Sequence, residues 1–454
     1  MLIPTQTQAT PELKTAPGPR GNIILGNLPE VQRKGFLQFY LDAWREYGDV
    51  ARYQMGPMVI HSIVRPEHVQ HVLVKNADNY HKGLSHDKLR IALGNGLLTS
   101  EGPFWNRQRR LMSPTYTPRG VTRYAEIMTG AARDLLGGWK PGQVVAVNQE
   151  MMVVAMNVIS RAMFGVDIGE KHTDAGQALG YILEFAAART MSLIDPPLFI
   201  PTRANNRLKW ALRTIDEFLY GIIAERRLQP PGDDLLSLLM NARDEETGET
   251  MDEKQLRDEV LITFFAGHET TAQLFSWSAY MLDQHPEVEG RLHAELEQVL
   301  GGRTPTLEDV AKLTYTRQVI DETLRLYSPV AVTARDVIEE DAIDGYKIPA
   351  GSMVMIAPYL THRHPEFWET PLEFNPEHFT PESVKARPRY AYFPFGAGQR
   401  TCLGMHFALL EAVLVLAEVT QRYRLRLLPG QEIEPVFMGT LRPCGDIMMR
   451  LEMR

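Results

Sequence analysis

Cysteine is nearly absent from this chain, which has only Cys402 and Cys444 among its 454 residues. Two cysteines cannot build a disulfide framework, so we expect a protein of the reducing cytoplasm. Cys444 is interpreted as a passive thiol with no assigned role.

Long apolar runs are missing as well. The most apolar stretch, 407–419, is too short to cross a bilayer and carries Glu411 and Glu418. The first twenty residues have neither the basic start nor the apolar core of a signal peptide. Excess positive charge is also lacking, because 48 Lys and Arg stand against 56 Asp and Glu, giving a formal net charge of −8. We therefore expect no membrane anchor and no nucleic-acid partner.

The sequence does contain a long helical middle between shorter, strand-like ends. A hairpin is predicted over 50–64, where two apolar segments flank Gly56 and Pro57. Helical patterns dominate from Arg119 to Tyr327, and short strands follow over 337–356. The pattern predicts a mainly α body with a small β lobe built from both ends of the chain.

The segment 395–404 carries the most specific pattern. Its cysteine, Cys402, directly precedes a predicted helix whose N-terminal amides and dipole favour a thiolate. Glycines around it let the backbone pass close to a flat, rigid group. Arg400 can reach a nearby anion, and Phe395 can cover the sulfur. This combination suits a thiolate that donates electrons to haem iron, and the alternative is a glycine-rich turn with an incidental buried cysteine.

A second pattern lies in a long apolar helix predicted to run from a capping box at 250–253 to about Gln284. Its middle reads Ala266-Gly267-His268-Glu269-Thr270, and the small side chains of Ala266 and Gly267 leave room for a ligand against the backbone. The Thr270 hydroxyl can bond the Ala266 carbonyl one turn earlier and open the helix locally for dioxygen and a water. The alternative is a buried helix with satisfied polar side chains, and His268 is interpreted as structural or solvent-facing.

The pattern Phe395-x-x-Gly398-x-Arg400-x-Cys402-x-Gly404 resembles the haem-ligand signature of the cytochrome P450 family. The resemblance extends from about Ala16 to the end of the chain. It implies the cytochrome P450 fold, with an extended lead-in over 1–20 and one catalytic domain over 21–454. It also implies haem b as cofactor with Cys402 as the axial iron ligand. Glu269 and Thr270 would then be the acid and the alcohol that deliver protons to dioxygen.

Glu322 and Arg325 share one face of a predicted helix, where such a pair is usually solvated. The resemblance implies instead a buried Glu-x-x-Arg motif that clamps the loop before the cysteine. His378 takes the place of an arginine that many family members carry as the third partner, so its charge depends on pH. These three residues are expected to be structural.

The resemblance also implies partners for the two haem propionates. Trp105 and Arg109 match a Trp-x-x-x-Arg pattern, and Arg335 and Arg400 complete the set, with His81 as a weaker candidate. For Arg335 the alternative is a surface arginine. An apolar substrate pocket is expected from Leu97, Leu98, Phe264, Ala266, Val330, Ala331, Phe437 and Met438, each of which is also typical of plain core. The loop 189–203 is predicted to act as a lid.

No flavin or nicotinamide fingerprint is visible, so we expect electrons from a separate ferredoxin or flavodoxin with its reductase. A basic docking patch is predicted from Arg107, Arg110, Lys385, Arg387 and Arg389, the alternative being scattered solvated charges. The expected function is a monooxygenase that uses dioxygen to hydroxylate or epoxidise a lipophilic molecule such as a fatty acid, terpenoid or polyketide. The alternatives are a peroxide-driven peroxygenase, a haem isomerase, and a non-enzymatic haem-thiolate sensor or electron carrier. Glu269 and Thr270 argue for dioxygen.

Overall fold

A computed structural model of the protein describes residues 13–165, 173–191, 196–230 and 232–454. Residues 13–20 of the predicted lead-in contain no helix, and residues 1–12 lie outside the described part. The predicted lid over 189–203 is described only in part, because 192–195 lie outside it. None of the helices in the described ranges combines the length and the apolar character needed to span a bilayer.

Helices form most of the described chain, as predicted. In chain order they are α1 Leu28–Lys34, α2 Phe36–Tyr47, α3 Pro66–Gln70, α4 Leu84–Leu93, α5 Gly102–Met112, α6 Pro118–Val121, α7 Ala125–Gly138, α8 Val147–Phe164, α9 Thr173–Met191, α10 Arg203–Arg227, α11 Leu235–Asn241, α12 Glu253–Gln284, α13 Pro286–Leu300, α14 Thr314–Leu326, α15 Pro358–Thr361, α16 Pro381–Ala386 and α17 Met405–Thr420.

The strands are short and come from both ends of the chain. They are β1 Val50–Met55, β2 Met58–Ile63, β3 Tyr80–His81, β4 Val144–Ala146, β5 Thr333–Val337, β6 Asp341–Ile343, β7 Tyr346–Ile348, β8 Met353–Ile356, β9 Tyr423–Leu427, β10 Pro435–Met438, β11 Thr440–Pro443 and β12 Met448–Met453. The largest sheet has the order β1-β2-β8-β5-β3, in which β2 and β8 are parallel. The predicted hairpin is β1–β2, and the predicted small β lobe is confirmed.

The long helix α12 runs through the main core and lies against α8, α14 and α17. It is buried along most of its length because its sequence is apolar on nearly every face. The predicted capping box is wrong by two residues. Asp252 is the N-cap, and its side chain accepts a hydrogen bond from the backbone N–H of Gln255 at 2.7 Å.

Candidate active site

The cysteine loop ends where α17 begins, and it holds Cys402 in an unusual environment. The side chain is accessible, yet protein surrounds it closely enough that burial raises the pKa of the thiol. These two facts place the sulfur on the wall of an internal cleft. The backbone N–H groups of Gly404 and Met405 and the charge of Arg109 act in the opposite direction and favour the thiolate. A positively charged iron would complete that stabilisation, so the donor set fits a metal-bound thiolate.

Close backbone contacts fix the path of this loop. The N–H of Cys402 donates to the carbonyl oxygen of Phe395 at 2.8 Å. Gly398 has a positive φ of 68°, and a Cβ there would lie 2.0 Å from the carbonyl oxygen of Leu73. No other residue fits at this position without moving the backbone. The Phe395 side chain is partly buried and packs against the main core.

The middle of α12 faces the same kind of interior space. Ala266 is exposed although the residues around it on this helix are largely buried. The Thr270 hydroxyl donates to the Ala266 carbonyl oxygen at 2.7 Å, as predicted. Gly267 does not share this opening, because a Cβ there would lie 3.0 Å from Cδ1 of Ile159 on α8. The prediction that Gly267 leaves room for a ligand is therefore corrected: its missing side chain allows α12 and α8 to pack closely.

Glu269 is buried beside Thr270 and has one hydrogen-bond partner that the sequence did not indicate. The Thr440 hydroxyl, at the start of β11, donates to Oε1 of Glu269 at 2.5 Å. Burial raises the pKa of Glu269, while the Thr440 hydrogen bond and the charge of Arg442 partly oppose that rise. His268 is also buried, and burial lowers its pKa to about 4, so it is a neutral structural residue.

Two arginines, Arg335 and Arg400, line the same cavity. The other predicted or neighbouring residues in its lining are Trp105, His81 and Glu101. The Arg400 guanidinium lies 3.8 Å from the Trp105 ring centroid and forms an ion pair with Glu101. Arg335 is buried rather than at the surface, and burial together with Arg400 lowers its pKa to about 10. The structure thus brings together most of the predicted propionate partners.

Lys82 is a member of this cluster that sequence reasoning missed, although it follows His81 directly. Burial lowers its pKa well below the usual value, the nearby Arg335 and Arg400 lower it further, and Glu101 opposes them. Its Nζ donates to the carbonyl oxygen of Leu98 at 2.7 Å. Arg400 lowers the pKa of Arg335, and both arginines lower that of Lys82, so these cations repel one another and an added anion would stabilise them. A buried group with two carboxylates, such as haem, fits this cluster. No motif marked Lys82, because its neighbours are distant in sequence.

Arg109 lies between the cationic cluster and the cysteine loop. Its guanidinium donates to the carbonyl oxygen of Thr401 at 2.9 Å and is close enough to Cys402 for their charges to interact. Trp105 and Arg109 therefore have different partners. Trp105 stacks on Arg400, and Arg109 donates a hydrogen bond to the cysteine loop.

Glu322 and Arg325 form the predicted buried pair, and both side chains are fully buried. Two hydrogen bonds of 2.7 Å join them, and Arg325 also donates to the carbonyl oxygens of three residues, His362, Pro371 and Glu373. His378 lies where the third partner was expected, with Nδ1 3.1 Å from Oε1 of Glu322. Every charge in this pair is matched by hydrogen bonds.

His362 connects this pair to the cysteine loop, a link that no sequence pattern indicated. The N–H of Phe393, two residues before Phe395, donates to Nε2 of His362 at 3.0 Å. An N–H can only donate, so Nε2 carries no proton and Nδ1 donates to the carbonyl oxygen of Arg325, 3.2 Å away. Burial and neighbouring arginines hold the pKa of His362 well below its ordinary value, which agrees with a neutral ring.

The predicted pocket residues outside α12 come from two parts of the chain. The turn before β5 and the β10–β11 hairpin are adjacent, because the N–H of Leu441 donates to the carbonyl oxygen of Pro329 at 2.9 Å. Val330 and Met438 are exposed next to this contact. Ala331 is fully buried and the Phe437 ring stacks on Phe36 of α2, with 5.0 Å between the ring centroids, which corrects their prediction as pocket residues. Leu97 and Leu98 are partly buried between α4 and α5.

Phe264 does not belong to this group, which corrects its prediction as a pocket residue. Its ring is buried in the main core, 6.2 Å from the ring centroid of Phe164. Two residues along a helix correspond to a rotation of about 200°, so Phe264 and Ala266 lie on opposite sides of α12.

The predicted docking patch is weaker than the sequence suggested. Arg107 pairs with Glu249, and Arg110 pairs with Asp244 and Glu246. Arg387 stacks 3.8 Å from the ring centroid of Trp368, and burial lowers its pKa to about 10. Of the five predicted residues, Lys385 and Arg389 remain exposed.

Comparisons with known proteins agree on one family. A family model described as Cytochrome P450 matches residues 16–449. Cyclooctatin synthase of Streptomyces melanosporofaciens is 35% identical over 95% of this chain and 94% of the relative. Cyclooctat-9-en-7-ol 5-monooxygenase of the same organism is 34% identical over 94% of each chain. The crystal structure of the cytochrome P450DA heme domain superposes with a TM-score of 0.90 and 27% identity, covering 97% of this chain and 98% of the other.

Proposed function

Since the chain belongs to the cytochrome P450 family and is a haem-dependent monooxygenase of lipophilic molecules, we propose that it oxidises a cyclic terpenoid in the cytoplasm. The observation that supports haem-thiolate chemistry is the environment of Cys402. Its sulfur is enclosed by protein, open to an internal cleft and faced by two backbone N–H groups at the start of α17. That environment suits a thiolate bound to a metal and shielded from bulk water.

The cofactor would be haem b, with Cys402 as the axial ligand. When bound, the haem supplies the activation of dioxygen, and the hydrogen bonds from Gly404 and Met405 hold electron density on the sulfur. Arg335, Arg400 and Lys82 would hold the two propionates, with Trp105 packed on the Arg400 guanidinium.

Thr270 and Glu269 would deliver protons. The Thr270 hydroxyl lies beside the exposed Ala266, where α12 is open to the cleft. Glu269 is the neighbouring acid, and burial raises its pKa toward the range in which a carboxyl group can donate a proton at neutral pH. Two such groups in sequence favour dioxygen over peroxide as the oxidant, because peroxide already contains the protons.

A terpenoid substrate is supported by the relatives and by the cleft. One relative is named for cyclooctat-9-en-7-ol, a cyclic alkenol. Another, Pentalenene oxygenase of Streptomyces avermitilis, is named for pentalenene and is 29% identical over 97% of each chain. The residues proposed to contact the substrate, Val330 and Met438, are exposed and apolar. They favour a hydrocarbon skeleton that is hydroxylated or epoxidised. Electrons would come from a separate ferredoxin or flavodoxin with its reductase, docking near Lys385 and Arg389.

The proposal is tested first by the spectrum of Cys402→Ser. The reduced carbon monoxide complex of the wild type should have the strongly red-shifted Soret band of a thiolate ligand, and the variant should lose it. An unchanged band in the variant would contradict the ligand assignment. Turnover of terpenoid candidates should then require an electron donor together with dioxygen. Turnover with peroxide alone would favour a peroxygenase instead.

A further inference from the structure

The acid next to Thr270 is held by a residue from a distant part of the chain. Thr440 is 171 positions from Glu269, and its hydroxyl lies 2.5 Å from Oε1. Both side chains are buried, with exposed fractions of 6% for Thr440 and 8% for Glu269. A hydrogen bond this short between buried groups fixes the orientation of the carboxyl group relative to the hairpin.

The position of Thr440 does not depend on Glu269. Gly439 forms the turn between β10 and β11 with a φ of 85°, and Thr440 follows it. The next residue, Leu441, is anchored twice. Its N–H donates to the carbonyl oxygen of Pro329 at 2.9 Å, and its own carbonyl oxygen accepts from Nε1 of Trp277 at 3.1 Å. The hairpin therefore presents the hydroxyl to α12 from a fixed frame.

This contact makes the two oxygens of the Glu269 carboxyl group different. A hydroxyl that donates to Oε1 uses that oxygen as an acceptor, so a proton taken up by the carboxyl group goes to Oε2. The other titratable neighbours of Glu269 do not compete for this proton. His268 is neutral and turned toward α8, where Met152 is its partner, and Arg442 on β11 has no proton acceptor to offer.

We propose that Thr440 is a positioning residue for proton delivery, because its hydroxyl occupies Oε1 of Glu269 and leaves the proton on Oε2. The step transfers a proton and no electrons. The O–H bond at Oε2 breaks as the proton passes to a water or to the hydroxyl of Thr270, which releases one of its own protons onward in the same step, and Glu269 then regains a proton from solvent. This inference rests on the proposed function, since it assigns a role within the same proton path.

The same hairpin carries Met438, which is proposed to contact the substrate. Thr440 is two residues from Met438 and on the opposite side of the turn. Substrate contact and proton supply are therefore joined through one short, rigid element.

Infrared spectroscopy of the resting holoenzyme tests the orientation directly. The carbonyl stretch of protonated Glu269 is identified as the band that Glu269→Gln removes. If Thr440 donates to the carbonyl oxygen Oε1, Thr440→Val should shift this band to higher wavenumber, because the hydrogen bond to the carbonyl is lost. Thr440→Ser should restore the wild-type position. A band that stays in place in Thr440→Val would mean that Thr440 does not donate to the carbonyl oxygen, and would overturn the inference.

Turnover gives the second readout. Thr440→Val should lower the fraction of electrons that end in product by roughly five- to tenfold, as expected from one lost hydrogen bond, while substrate affinity stays unchanged. Thr440→Ser should recover most of the coupling. Thr361→Val is the matched control, since it removes a buried hydroxyl that donates to the carbonyl oxygen of Val64 at 2.7 Å, a contact that involves neither α12 nor the β10–β11 hairpin. Equal coupling in wild type and Thr440→Val would refute the positioning role, whereas a wild type that never couples electrons to product would refute the proposed function.

Discussion

Two buried groups of charges in this molecule have opposite character. Around Glu322 and Arg325 each charge has its partner and every donor of the guanidinium has an acceptor. Arg335, Arg400 and Lys82, by contrast, lie close enough to repel one another, and the pKa values of all three are lowered. A protein does not normally bury uncompensated charge, because desolvation is costly. The difference therefore separates an ion pair that is complete by itself from a cation cluster that an anionic ligand would stabilise.

The strongest test of this difference is to remove one cation from each group. Arg325→Ala should destabilise the haem-free protein by about 3–5 kcal/mol, because it leaves Glu322 buried without its partner. Arg335→Gln should cost little or nothing in the same measurement, because it relieves repulsion. Urea unfolding followed by circular dichroism measures both. If the two variants lose equal stability, the balanced and unbalanced groups do not differ in the way proposed here.

The second prediction concerns Lys82 and pH. Its folded pKa lies well below the 10.5 of the unfolded chain, so the unfolded state binds more protons between these two values. The free energy of unfolding of the haem-free protein should therefore rise as pH increases through that window. Lys82→Met should remove this rise and stabilise the haem-free protein at neutral pH by on the order of 1–2 kcal/mol. Exposed Lys385→Met is the matched control and should leave the pH dependence unchanged. A wild-type stability that is flat between pH 7 and 10 would contradict the assignment.

The two groups also differ in how far the sequence predicts them. Glu322 and Arg325 are three residues apart on one helix, and Thr270 reaches Ala266 one turn earlier, so local geometry is sufficient to predict these contacts. The sequence does not predict the contacts of Lys82 and Thr440, because their partners lie on other helices, strands or loops. No residue spacing along the chain indicates that these side chains meet in the fold.

The errors on α12 have a related cause. A helix that is apolar on every side gives no periodic signal for which face meets the cleft. Phe264 and Gly267 were therefore assigned to the cleft, whereas one packs against Phe164 and the other against Ile159. The overall class, by contrast, was predictable, because alternating strand patterns at the two ends and long helical periods between them are local signals.

The smallest effect is expected at the edge of the balanced pair. His378 contributes a hydrogen bond of 3.1 Å to Glu322, which already accepts from Arg325 and from the N–H of Asn375. His378→Gln changes one of several hydrogen bonds that Glu322 accepts, and the Glu322 carboxylate keeps Arg325 as its charged partner. It should therefore cost about 1 kcal/mol in urea unfolding, several times less than Arg325→Ala. A loss as large as that of Arg325→Ala would mean that the histidine carries the charge balance of the pair. The division between a self-sufficient ion pair and a ligand-dependent cation cluster would then no longer hold.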